Sequence, residues 1–102
     1  MTRRVYVVNK GPHNFTLAED FGELVFCTDG NLDRTDIAQM HRVLNDVLKD
    51  SEPEDLLLLT SLTSLCSVAC SVFAVMHGEL HLLIHKGPRE EGYFERSIFF
   101  DN

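Results

Sequence analysis

Between Leu56 and Gly78 the chain reads LLLLTSLTSLCSVACSVFAVMHG, without one Asp, Glu, Lys or Arg. Such a run is long enough to cross a bilayer. Six hydroxyl side chains interrupt it, however, and its flanks are the acidic Glu54, Asp55 and Glu79 instead of Lys or Arg anchors. Its period also changes part-way. Leu56 to Leu59 are four consecutive leucines, the pattern of a strand apolar on both faces. From Leu62 the apolar positions become Leu65, Val68, Ala69, Val72, Phe73 and Met76, which is helical spacing. The run therefore reads as a buried strand, a Thr60-Ser61 corner and a buried helix, with Gly78 as a left-handed C′ residue after His77.

A strand apolar on both faces needs a layer on each side, and the rest of the chain supplies the parts. Residues 4–9, RVYVVN, are β-branched and aromatic and form a first strand, followed by the turn signal Gly11-Pro12. FTLAEDFG forms a short helix capped at Thr16, with Glu19 completing a capping box and Gly22 ending it. ELVFCT, 23–28, is a second strand closed by Asp29-Gly30. The next helix buries one stripe, Ile37, Met40, Val43, Leu44, Val47 and Leu48. Asp33 or Asn31 caps it, Asp36 suits its dipole, and Ser51-Glu52-Pro53 stops it. LHLLIH, 80–85, is a fourth strand, and YFERSIFF forms a last one, an antiparallel edge. The expectation for residues 1–102 is one α/β domain in three layers: a mostly parallel sheet of four to five strands flanked by three helices. A chain of 102 residues supports one core and not two.

The formal charge of −7 argues against a general affinity for nucleic acid, because phosphate binding needs clustered Lys and Arg, and here only Arg3-Arg4 adjoin. An acidic surface suits a basic protein partner. Cys27, Cys66 and Cys70 are odd in number and lack the spacing of a disulfide scaffold, so a reducing compartment is expected. The opening MTRRVY has no apolar stretch of signal-peptide length, which leads to a cytoplasmic expectation.

Open parallel sheets take ligands beyond the carboxyl ends of their strands, where strand order reverses. Those ends carry Asn9, Lys10, His13 and Asn14 after the first strand, and Thr28 and Asp29 after the second. Thr60, Ser61, Thr63 and Ser64 follow the third, entering a helix whose free N–H groups attract anions. A small anionic ligand would sit there, with Lys10 or Lys86 as counterion. Strand-to-helix turns use Ser and Thr as caps in any case, and neither G-x-G-x-x-G nor G-x-x-x-x-G-K-[ST] is present. His77, His81 and His85 are evenly spaced, but His81 and His85 lie about 13 Å apart along a strand, so no metal site or cofactor is expected. No serine sits in G-x-S-x-G, and Cys66 near a helix start reads as a buried thiol. His13 and Asp29 form a base and its orienter only if their strands adjoin. No catalytic residue is assigned. The third helix offers the small residues Ser67, Ser71 and Ala74 along one side, the signature of a subunit interface, for which a two-fold homodimer is the default.

With these elements placed, VYVVNKGPHNF…AEDFGELVF and D…LLLLTSLTSLCSVACSVFAVMHGELHLLIHK resemble small cytoplasmic α/β proteins of tailed bacteriophages over residues 4–86. The resemblance implies a setting, an infected bacterial cytoplasm, and no activity for any residue. Together these readings lead to a non-enzymatic binding protein that acts on a host protein or sequesters a small ligand. The alternative is a nucleotide- or phosphate-binding domain, catalytic or not, using the crevice beyond the first and third strands. Acidic positions such as Asp46, Asp50, Glu52, Glu54, Asp55, Glu90 and Glu91 would serve the first reading.

Overall fold

The computed structural model describes residues 3–11, 13–29, 32–60 and 62–100. The chain runs β1 (Arg4–Val7), a 3₁₀ helix (Thr16–Phe21), β2 (Glu23–Phe26), α1 (Ile37–Leu48), β3 (Leu56–Leu58), α2 (Thr63–His77), β4 (Glu79–His85) and β5 (Tyr93–Phe99). One sheet orders them β2-β1-β3-β4-β5, with β5 antiparallel to β4 and every other pair parallel. The expected α/β class is the one observed, including the antiparallel edge. Strand order reverses between β1 and β3, since the connection to β2 leaves β1 one way and that from β2 to β3 returns past it.

The three leucines of β3 are fully enclosed and divide between the two faces. Leu57 joins Tyr6 and Val8 against Met40, Leu44 and Leu48 of α1 and Leu65, Ala69, Val72 and Phe73 of α2. Leu56 and Leu58 join Val5, Val7 and Leu83 against Phe15, Ala18 and Tyr93. Both long helices thus lie on one face and the 3₁₀ helix on the other. Crossovers of one hand produce this division, because the first connection moves across the sheet opposite to the next two. The second face is thinly covered, and polar groups finish it. Arg3 makes a bidentate pair with Glu95 at 3.1 and 2.8 Å. His81 bridges Ser97 and Glu79, both at 2.7 Å.

Several local expectations are corrected by the packing. The first strand is shorter than residues 4–9, although its ladder continues as Val8 N–H donates to Leu58 O and Lys10 N–H to Thr28 O. The proposed Thr16–Glu19 capping box does not form. Asn14 Oδ1 accepts from both the N–H and the hydroxyl of Thr16, and the helix is a 3₁₀ turn without a side-chain cap. In α1 the cap is Asp36, which accepts from Gln39 N–H, while Asp33 closes the turn before it through Thr35. The alternative cap Asn31 and the turn residues Pro12 and Gly30 lie outside the described residues. Ile37, expected in the buried stripe, is half exposed, and so in part is Met76. Asp55, counted among the acidic surface positions, is only 2% exposed. Its carboxylate accepts Arg4 N–H at 2.9 Å and Glu52 N–H at 2.8 Å, tying the entry to β3 onto the start of β1. No described helix is long and apolar enough to cross a membrane.

Three expectations about stability follow from these contacts. Asp55→Ala leaves two backbone donors without their acceptor and should cost about 3 kcal/mol, read as a lower urea midpoint at unchanged slope. At Gly22 (φ 156°) a Cβ would stand 2.3 Å from the Arg3 carbonyl oxygen, so Gly22→Ala should lose about 2 kcal/mol in the same measurement. Hydrogen bonds from Arg3 hold the Glu95 carboxyl below its usual range. A depressed carboxylate stabilises the fold above its unfolded pKa, and that contribution disappears as pH falls through the folded value. Glu95→Gln should therefore flatten the acid side of the stability profile between about pH 5 and 3 while leaving it parallel to wild type above pH 6.

Candidate functional site

At the strand ends several of the expected ligand residues already bond within the protein. Thr28 Oγ1 lies 2.7 Å from Asn9 Oδ1 and 3.0 Å from Val8 O, latching the end of β2 to that of β1. Asn14 is occupied by Thr16, and the Ser64 hydroxyl donates to Arg34 O at 2.8 Å. The Thr60 backbone closes on a thiol: its N–H lies 3.4 Å from Cys66 Sγ, and that Sγ lies 3.3 Å from Thr60 O. Thr63 is exposed, and its carbonyl accepts from Ser67. Ser61 lies outside the described residues. The two lysines named as counterions both cover aromatic rings, Lys10 over Phe26 and Lys86 over Phe94, each at 5.3 Å. Helix α2 has Leu62 at its N-cap position and so no side-chain cap.

His13 and Asp29 line different hollows. His13 borders a cleft of about 910 Å³ between the 3₁₀ helix and β2, floored by Phe15 and Phe26 and rimmed by Arg3, Lys10, Glu19, Asp20 and Glu23. Asp29 borders a smaller one of about 370 Å³ with Thr28, Leu32 and Val43, and only Lys10 and Phe26 belong to both. No hydrogen bond joins the pair among the described residues. The large cleft carries cations and carboxylates in mixture, so it does not select one sign of ligand.

Cys27 and Cys70 are not activated nucleophiles. Burial pushes Cys27 up to about 12, and burial also raises Cys70. The three evenly spaced histidines stand in separate surroundings. His77 packs on Phe73 and meets the Ser51 hydroxyl at 2.8 Å, and His85 faces Tyr93. His81 belongs to a Ser97–His81–Glu79 chain that sequence reasoning missed. Pairing the two last strands about the Gly87–Gly92 loop brings residue 81 opposite 97, which is the signal that would have found it. Its hydrogen-bond order is that of an activated hydroxyl, but none of the hollows described here reaches it, and its evident effect is to fasten β4 to β5.

The most distinctive surface lies between the two long helices. Ile37, His41 and Asn45 of α1 face Ser64, Ser67, Val68, Ser71, Val72, Val75 and Met76 of α2 across a groove of about 700 Å³. Val75 is 89% exposed. Two of the three small residues expected at an interface, Ser67 and Ser71, line this groove together with large apolar ones, while Ala74 is half-buried outside it. The hydroxyls of Ser67 and Ser71 donate back to Thr63 O and Ser67 O within the helix. They therefore present small surfaces whose donors are already satisfied, and covering them strands no hydrogen bond.

No curated protein and no solved structure matches the chain. The resemblance carried by residues 4–86 ends before the last strand, whereas the family match runs over residues 3–98 and takes that strand in. The chain belongs to the Phage Pam3 gp32-like protein family and is a phage protein.

Proposed function

We propose that this phage protein is a non-enzymatic binding protein that docks an amphipathic helix of a host protein in the α1–α2 groove, within the bacterial cytoplasm. The observation that carries this reading is the lining of that groove, in which no Asp, Glu, Lys or Arg takes part. Val75, 89% exposed on a helix without any Asp, Glu, Lys or Arg, extends an apolar patch with Ile37, Val68 and Met76, and contiguous patches of this kind mark association. From Ser64 to Met76 the groove follows thirteen residues of α2, about 18 Å at the helical rise, which matches three turns of a docked helix. Such a partner presents apolar residues at i, i+3, i+4 and i+7 to the groove. Its flanks would be basic, to suit a chain of net charge −7.

The alternative, a phosphate or nucleotide ligand beyond β1 and β3, draws less support, because the hydroxyls of Thr28 and Ser64 already bond within the protein.

Val75→Asp places a carboxylate at the most exposed point of the groove and should leave the fold intact. It should remove partners captured by wild type from a lysate of the infected host, and weaken binding of the identified partner helix at least tenfold in titration calorimetry. A thermal-shift screen with nucleotides and sugar phosphates separates the readings. A ligand at a hundredfold excess over its Kd stabilises a fold by about 2.7 kcal/mol, so a shift of that order would favour the strand-end crevice, and none is expected.

A further inference from the structure

We infer that β5 is a self-pairing edge and that two copies of this chain join there across a two-fold axis into one continuous sheet. The strand is seven residues long, and its register with β4 is unbroken from Tyr93 to Phe99, with neither a bulge nor a proline. Edge strands of that length are normally shortened, bent or covered. Among the described residues no strand pairs with its outer edge, and it exposes Phe94, Ile98, Phe99 and Phe100.

The ladder fixes which groups are available. Lys86 N–H donates to Gly92 O and Phe100 N–H to Gly78 O, so the even-numbered residues of β5 exchange hydrogen bonds with β4. The N–H and C=O groups of Tyr93, Glu95, Ser97 and Phe99 consequently point away from the sheet. The charges on this strand guard it at one carbonyl only, which Arg96 must release for a second strand to pair. Glu95 is held by Arg3, and Arg96 donates at 2.8 Å to the outward carbonyl of Glu95, standing where a neighbouring strand's N–H would come.

An antiparallel pair in a continuous sheet keeps each side chain on its own face, so a two-fold axis must pass through a residue position. An axis at Glu95 sets Glu95 against its copy, and one at Arg96 sets Arg96 against its copy; like charges directly opposite are unfavourable. An axis at Ser97 sets Ser97 against Ser97, Glu95 against Phe99, Arg96 against Ile98 and Phe94 against Phe100. That register opposes no like charges and uses the whole exposed apolar set. A second copy is therefore the occupant this strand's own sequence fits. The opposite edge, β2, has only four residues, so joining β5 to β2 of another copy would pair less backbone and would leave an open chain of molecules.

Sedimentation of the full chain should show a monomer–dimer equilibrium at micromolar concentration that tightens with added salt, because each copy carries −7 and the contact itself is apolar and backbone-made. Position 99 reads the register, since its side chain is 66% exposed and tolerates either charge. Phe99→Glu meets Glu95 of the second copy and should raise the dimer Kd at least tenfold. Phe99→Lys meets the same carboxylate with opposite sign and should leave the Kd within threefold of wild type. Ser97→Pro removes an outward N–H and spares the backbone ladder with β4, but it also loses the hydroxyl that meets His81; Ser97→Ala loses the same hydroxyl, so the proline variant should be a folded monomer while the alanine variant still dimerises. A monomer for wild type at 200 µM, or equal effects of the two charges at position 99, would overturn the inference.

Discussion

The arrangement depends on one constraint: β3 is a strand of leucines with no face to give to water. A central strand of that kind is stable only between two layers, and each neighbour in the sheet must also be apolar at its level. Val5, Tyr6 and Val7 meet this demand on one side and Leu82 and Leu83 on the other. The layers that result are unequal. Two full helices cover one face, whereas the other receives a six-residue 3₁₀ helix and the aromatic end of β5. Where that second layer runs out, hydrogen-bonded polar groups replace it: Arg3 with Glu95, and His81 between Ser97 and Glu79. Paired in this way, they satisfy their own donors and acceptors at a boundary that packing leaves half wet.

Much of this layout was legible in the sequence because it rests on periodicity. The change from four consecutive leucines to helical spacing at Leu62 located β3 and α2, and the stripe from Met40 to Leu48 located α1. What escaped depends on where elements come to rest. Ile37 belongs to the α1 stripe by spacing, but it opens onto the groove between α1 and α2 and stays half exposed. Asp55 resembles its neighbours Glu52 and Glu54 in composition. Only the meeting of β3 with β1 makes it an acceptor for two main-chain donors. Thr16 and Glu19 satisfy a capping pattern, yet Asn14 reaches the same N–H from two residues back and a tighter 3₁₀ turn results.

The candidate site shifted for a related reason. The residue types expected at a ligand crevice are the types that close strand-end loops, and in this short chain the loops claim them: Asn9 with Thr28, Asn14 with Thr16, Ser64 with Arg34. Composition cannot distinguish a hydroxyl that waits for a ligand from one that fastens a turn, because both need the same atom in the same place. Apolar side chains left outside the core have no such second use, which is why the groove and the β5 edge carry the functional argument.

The two surfaces bear on one another through symmetry. Pairing β5 with its copy about an axis normal to the sheet preserves the faces, so the α1–α2 layers of both copies lie on the same side of the joined sheet. Two grooves then open toward the same space instead of opposite directions. On the proposed dimer, a partner that is itself repeated would meet both grooves at once, its second contact made at a local concentration set by the rigid spacing between them. Each groove is short, about three helical turns, and a single docking of that size supports only modest affinity. Joining the sheets as proposed would offset that limit without enlarging either groove.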